Sequence, residues 1–103
     1  MNVMGFRMEE NNGKVTVKLT GDMFVKEVAG LREELLKLVA AGKICFVFDM
    51  GELRYIDSAG LGLMVTLLKR VAPLGGEIRV RHMNGVVKEL FEQTRLDRVF
   101  IIE

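Results

Sequence analysis

The chain has 103 residues, half of them hydrophobic, and its 15 basic and 14 acidic residues give a net charge of +1. A chain of this length suits one domain, here expected over residues 1–103, and the near-neutral charge argues against nucleic acid or anionic lipid as a partner. Its single cysteine excludes an intrachain disulfide and fits a reducing compartment.

The N-terminal residues predict a β-hairpin and no targeting signal. Residues 6–9 and 15–19 alternate at the strand period, and Asn-Asn-Gly between them is typical of a tight turn. Gly21 and Asp22 are expected to close this hairpin. Residues 1–14 lack the apolar stretch of a secretory signal, and no segment reaches the about 20 apolar residues of a membrane span. We therefore expect a cytoplasmic protein without membrane contact.

The next residues predict a helix and a central strand. Apolar residues at helical spacing indicate a helix over residues 25–41, ended by Gly42. The unbroken apolar run 44–48 predicts a strand that is covered on both faces and a buried, unreactive thiol at Cys45.

The segment that follows has the most informative pattern in the chain. Residues 49–57 predict a loop, and Ser58 predicts the N-cap of a second helix, because its hydroxyl can accept a hydrogen bond from an unpaired backbone N–H. The first turns of this helix lack a polar face, so we expect spare apolar surface, including Met64, to meet a partner. A phosphate on Ser58 would add about 1.5 to 2 negative charges at the rim of that surface.

The remaining residues complete a mixed α/β fold. Residues 73–76 end the second helix, and residues 77–81 predict a strand that makes a parallel crossover with the central strand. Asn84 is a candidate cap for a third helix, and residues 99–102 predict a final strand. We expect an α/β domain with a mixed β-sheet, an N-terminal antiparallel hairpin and helices packed on it.

The residue types that carry catalysis or bind metal are scarce. Ser58 would need an activating base, and the one histidine, His82, is expected in a loop without special chemistry. One cysteine and one histidine leave only scattered carboxylates, so no metal site is predicted. Gly60 and Gly62 lack the Gly-Lys-Ser/Thr continuation of a phosphate-binding loop. The sequence therefore predicts a protein that is not an enzyme and has no cofactor.

Residues 57–62, Asp-Ser-Ala-Gly-Leu-Gly, resemble the phosphoacceptor motif of the STAS domain in bacterial anti-sigma factor antagonists. Further landmarks resemble the family in order and spacing: Gly-Asp-Met at 21–23, Leu-Arg at 31–32, Phe-Val-Phe-Asp at 46–49, Gly-Gly at 75–76, Val-Val-Lys-Glu-Leu-Phe at 86–91 and Thr-Arg-Leu at 94–96. The resemblance covers about residues 3–102.

In that family the unphosphorylated antagonist binds an anti-sigma factor, often itself a serine kinase, and thereby releases a sigma factor. Phosphorylation of the motif serine ends the interaction, and a phosphatase restores it. The resemblance implies that Ser58 is the phosphoacceptor and that the partners are an anti-sigma factor/serine kinase and a cognate phosphatase. It also implies partner-binding roles for Asp22, Met23, Asp57, Ala59, Gly60, Leu61 and Gly62.

Two departures from the family pattern concern the partner. Phe24 stands where many members carry an aspartate, which could alter partner choice or dock an apolar kinase surface. The sequence ends at Glu103, where many members add a C-terminal helix, and an uncovered side of the sheet would then promote self-association.

Three interpretations remain open at this point. The first is the phosphorylation switch. The second is a STAS scaffold or transport-complex subunit in which Ser58 is only a cap. The third is a sensor of a small ligand or nucleotide. Asp49 and Asp57 either bind backbone N–H groups or form an acidic rim for a basic partner. Gly60 and Gly62 either allow close packing within the domain or let a partner approach the backbone.

Overall fold

The computed structural model describes residues 5–103. Within these residues the helices and strands are β1 (Gly5–Asn11), β2 (Lys14–Met23), α1 (Val25–Ala40), β3 (Cys45–Ile56), α2 (Ser58–Val71), β4 (Glu77–Arg81), α3 (Gly85–Gln93) and β5 (Ile101–Ile102). Short 3₁₀ turns at Ala72–Leu74 and Leu96–Arg98 follow α2 and α3. Across residues 5–103, every helix is too short or too polar to span a membrane.

The strands form one mixed sheet in the order β1-β2-β3-β4-β5. β1 and β2 are antiparallel, and each other neighbouring pair is parallel. In the β1–β2 turn, Asn12 and Gly13 take φ angles of 52° and 81°, the left-handed conformation that tight hairpins favour. These features confirm the predicted mixed sheet with its N-terminal antiparallel hairpin.

The hydrophobic core lies between the helices and one face of the sheet. Val17, Phe48 and Val80 lie side by side on neighbouring strands. They pack in one cluster with helix residues that include Leu31 of α1 and Phe91 of α3. The helices therefore cover the same face.

The opposite face of the sheet remains largely polar. Thr16, Val47 and Arg79 are neighbours there, and of these three Val47 alone is buried, outside the core cluster. Phe46 and Phe48 are buried on the core face and Val47 is buried on the opposite face, so the prediction that residues 44–48 are covered on both faces is confirmed for these three residues. Cys45 is only partly buried, which corrects the prediction of a buried thiol.

The helix boundaries follow the sequence pattern closely, apart from the third cap. α1 ends within one residue of the prediction, and Gly42 beyond it takes a φ of 93°. Asn84 has the extended backbone of an N-cap, but its side chain makes no cap hydrogen bond. Its Nδ2 instead donates to the carbonyls of Gly51 and His82, at 3.3 and 3.0 Å. The final strand comprises only Ile101–Ile102.

Both central strands run further than the sequence pattern predicts. β2 continues through Gly21 to Met23, and β3 continues to Ile56, so the predicted loop at residues 49–57 is wrong. Gly21 takes a φ of 79° beside a register shift, which keeps β2 paired with β3. As a result Met23 and Ile56 end their strands side by side, and α1 and α2 begin from adjacent positions.

Candidate functional site

The carboxylate of Asp57 binds the N-termini of two helices, α1 and α2. Asp57 is the N-cap of α2, and its Oδ1 accepts a hydrogen bond from the Gly60 N–H at 3.1 Å. Its Oδ2 accepts from the N–H of Val25, the first residue of α1, at 3.0 Å. The Asp57 N–H donates to the Met23 carbonyl at 3.0 Å. Because helix N-termini leave N–H groups unpaired and favour negative charge, this side chain stabilises α1 and α2 together.

Ser58 is the first residue of α2 rather than its cap. The prediction that Ser58 caps the helix is wrong by one position, because Asp57 has the extended N-cap backbone, with φ −95° and ψ −177°, and makes the cap hydrogen bond. The Ser58 side chain is exposed. Because Asp57 makes the cap hydrogen bond, the helix does not depend on the Ser58 hydroxyl for its cap.

The residues predicted to surround Ser58 do lie near it, but they divide into two groups. The buried group comprises Met23, Gly60 and Leu61. The half-buried or exposed group comprises Asp22, Asp57, Ala59 and Gly62. The buried group lies where α2 packs against the ends of β2 and β3, since a Cβ added to Gly60 would meet Ile56 and Met23.

The apolar character of α2 reflects burial. Leu61, Leu63, Met64 and Leu67 all belong to the core cluster, which also includes residues of α1 and the sheet. A helix that is apolar around most of its circumference is typically buried. The prediction of spare apolar surface that includes Met64 is therefore wrong.

The two motif glycines have different surroundings. A Cβ added to Gly60 would lie 2.6 Å from Ile56 Cγ1 and 3.1 Å from Met23 Sδ. Gly60 therefore allows α2 to pack closely against the strand ends. A Cβ added to Gly62 would meet no atom within 4 Å. Of the alternatives left open by the sequence, Gly60 fits close packing within the domain, and Gly62 leaves bare helix backbone at the surface.

An exposed apolar patch lies beside Asp57. The rings of Phe24 and Tyr55 have centroids 5.5 Å apart, and Phe24 is 36% and Val25 65% exposed. We call Phe24, Val25 and Tyr55 the apolar patch, and it is continuous with the start of α2 because the Val25 N–H binds Asp57. Sequence reasoning singled out Phe24 but missed Tyr55, which pairs with Asp22 in the part of β3 that was predicted to be a loop.

A second carboxylate, that of Asp49, lies in the central strand β3 beside the end of β4. Asp49 Oδ1 accepts a hydrogen bond from the Gly51 N–H at 3.0 Å and lies 3.1 Å from His82 Nδ1. Burial by itself would raise the pKa of Asp49, but the bonds with Gly51 and His82 outweigh it and lower that pKa. Both Asp49 and Asp57 therefore bind backbone N–H groups, which favours a structural role over an acidic rim. His82, expected to lack special chemistry, is a partner of Asp49.

Known proteins share both the sequence pattern and the fold. Residues 6–103 match the family model of the STAS domain. The chain belongs to the STAS domain family. The anti-sigma-B factor antagonist of Bacillus subtilis strain 168 is 29% identical over 98 residues, which cover 92% of this chain and 86% of that protein. The family match confirms the resemblance drawn from the motif.

Two solved structures show the same architecture. The anti-sigma factor antagonist SpoIIAA in its unphosphorylated form has a TM-score of 0.76 and 19% identity, over 92% of this chain and 97% of that one. The Bacillus cell fate determinant SpoIIAA in its phosphorylated form has a TM-score of 0.79 and 17% identity, over 96% of this chain and 91% of that one. Both confirm the predicted fold class.

Proposed function

We propose that this STAS protein binds an anti-sigma factor while Ser58 is unphosphorylated, so that a sigma factor is released, and that phosphorylation of Ser58 ends the binding. The observation that carries this proposal is the exposure of Ser58 at the first position of α2, with Asp57 as the cap. Modification of the hydroxyl therefore removes no capping contact. The relative named an anti-sigma-B factor antagonist supports the class of partner.

The proposed contact surface combines the exposed side of the motif with the apolar patch. Ser58, Ala59 and Gly62 lie on the accessible side of the first turns of α2, and Asp22 and Asp57 are partly accessible. Phe24 and Val25 add the apolar area that α2 itself lacks at its surface. In this proposal the buried motif residues do not reach the partner but hold the exposed ones in position; they are Met23, Gly60 and Leu61.

The energetics favour dissociation upon phosphorylation. Desolvating an unpaired dianion at a packed contact costs several kcal/mol, and about 1.4 kcal/mol already weakens binding tenfold. The helix N-terminus offsets only about 0.3 to 1 kcal/mol for an exposed charge. Asp57 already occupies the Gly60 N–H and adds a neighbouring negative charge. That SpoIIAA has been solved in unphosphorylated and phosphorylated forms supports the compatibility of this fold with a phosphorylation switch.

A serine kinase, which in this mechanism is the anti-sigma factor itself, and a cognate phosphatase would set the state of Ser58. Since sigma factors act on transcription, the proposed site of action is the cytoplasm. The protein would regulate by binding and would catalyse no reaction itself.

The experiment is affinity capture from native cell extract with wild type, Ser58→Ala and Ser58→Asp as baits, followed by mass spectrometry. We expect wild type and Ser58→Ala to retain a kinase-like ATPase and Ser58→Asp to lose it. Thermal melts should show all three proteins folded, since Ser58 makes no capping contact. Incubation with the retained ATPase and ATP should phosphorylate wild type but not Ser58→Ala.

Equal retention of the same proteins by all three baits would contradict the switch. That result would favour the alternative of a STAS scaffold or transport-complex subunit, in which the charge at residue 58 has no effect on assembly.

A further inference from the structure

A groove lies between α1 and α2, on the side of α2 that carries the accessible motif residues. It is lined by Val28 and Arg32 from α1 and by Ala59, Gly62, Leu63 and Thr66 from α2. Ala59 follows Ser58 directly, so the groove is continuous with the proposed contact surface.

Arg32 is the one charged side chain that lines the groove. It is exposed and takes part in none of the ion pairs among residues 5–103, whereas Lys37 on the same helix pairs with both Glu33 and Glu34. A guanidinium presents planar, paired N–H donors that suit a carboxylate. The groove therefore carries a positive charge that no acidic group of the described residues neutralises at close range.

Two of the four α2 residues that line the groove, Ala59 and Gly62, carry little or no side chain. Ala59 contributes a methyl group, and a Cβ added to Gly62 would meet no atom within 4 Å. Glycine inside a helix destabilises it relative to alanine. No close packing within the domain accounts for Gly62, in contrast to Gly60, but bare backbone permits the close approach of another chain.

We infer that this groove binds an acidic segment of the anti-sigma factor, with a carboxylate of that segment paired to Arg32 and its backbone packed against Gly62. The inference rests on the proposed function and names the chemistry of the partner. An acidic segment complements Arg32, whereas a basic one would be repelled by it.

The test measures dissociation constants with the purified ATPase that wild type retains in the capture experiment. Arg32→Ala should weaken binding about tenfold, and Arg32→Glu should weaken it further. The matched control is Arg70→Ala, since Arg70 is exposed in the last turn of α2 and does not line the groove. It should bind like wild type. Lysine substitutions in the acidic segment of the ATPase should restore binding to Arg32→Glu.

The glycine has its own matched control. Gly62→Ala should weaken binding, whereas Gly30→Ala should not, because Gly30 is an exposed glycine of α1 outside the groove whose added Cβ also meets no atom. Thermal melts of each variant separate lost binding from lost folding.

The outcomes distinguish this inference from the proposed function. If the Arg32 variants bind like wild type while Ser58→Asp does not bind, the groove inference is overturned and the switch stands. If Ser58→Asp also binds like wild type, the proposed function fails. Retention of no ATPase by wild type overturns both.

Discussion

Gly60 and Gly62 are two residues apart in α2, and they face opposite surroundings. Gly60 is buried, and its bare Cα lets the helix pack against Ile56 and Met23. Gly62 is exposed, and an added Cβ would lie in open space. The comparison teaches that a short motif serves two purposes, since its buried side sets the position of α2 and its exposed side presents Ser58 and helix backbone to solvent.

The largest effect on stability is expected at Asp57, because this residue caps α2, the helix that carries both glycines. Asp57→Ala removes the acceptor for the N–H groups of Gly60 and Val25. Loss of an N-cap costs about 0.5 to 2 kcal/mol, and a hydrogen bond to a charged group contributes about 1.5 to 3 kcal/mol. We expect the free energy of unfolding, measured by urea denaturation, to fall by about 2 to 3 kcal/mol.

Asp57→Asn is the control, because it keeps one oxygen acceptor without the charge. It should lose less stability than Asp57→Ala. If Asp57→Ala is as stable as wild type, then the carboxylate does not join the two helices in solution.

Gly60→Ala tests whether the buried glycine is needed for α2 to pack against the strand ends. The new Cβ would overlap Ile56 Cγ1 at 2.6 Å, and overpacking a core typically costs about 1 to 3 kcal/mol. Alanine recovers about 1 kcal/mol through its helix propensity, so we expect a net loss of up to about 2 kcal/mol in urea denaturation. In an Ile56→Ala background the same change should cost less, and strictly additive losses would contradict the packing role.

A smaller effect is expected at Asp49, whose carboxylate binds one backbone N–H and His82 rather than two helix starts. The pKa of Asp49 is lower in the folded than in the unfolded state. The ionised carboxylate therefore stabilises the fold above the unfolded pKa of about 3.9, and this stabilisation is lost as the pH falls through the pKa of the folded state. Asp49→Asn should cost about 1 kcal/mol at neutral pH and should flatten the decline in stability below about pH 4.

The measurement is urea denaturation of wild type and Asp49→Asn across this pH range. Hydrogen bonding to Arg81 likewise lowers the pKa of Glu103. Since Glu103 is present in both proteins, the difference between their pH profiles isolates Asp49. Parallel profiles would show that Asp49 does not titrate as the geometry implies.

The fold was predictable where local pattern decides it. Alternation and helical spacing placed the hairpin, α1 and β4 because those signals lie within each element. The second half of β3 was missed because residues 49–56 include Gly51 and charged side chains that favour a loop by composition. Their strand conformation depends on pairing with β2 past two register shifts, which is a long-range property.

The sequence motif predicted where the candidate site lies. It did not predict which residue caps α2 or which of the two glycines is buried. The motif identified Ser58, but aspartate and serine are both favoured N-caps, and the sequence does not show which residue takes the extended backbone. The hydrogen bond from Val25 to Asp57 joins residues 32 positions apart. The environments of Gly60 and Gly62 depend on how α2 is rotated against Ile56, which only the packed structure shows.

The exposed glycine, Gly62, is expected to give the smallest change in stability, and the change should be a gain rather than a loss. Gly62→Ala should raise the free energy of unfolding by about 0.4 to 1 kcal/mol, because alanine restricts the unfolded chain and its methyl group meets no obstacle in the helix. Gly30→Ala should give a gain of the same size in the same urea titration. A loss of stability in Gly62→Ala alone would mean that the position is packed after all, and its contrast with Gly60 would disappear. A gain in stability together with weaker partner binding would identify Gly62 as a residue retained for recognition at the expense of the helix.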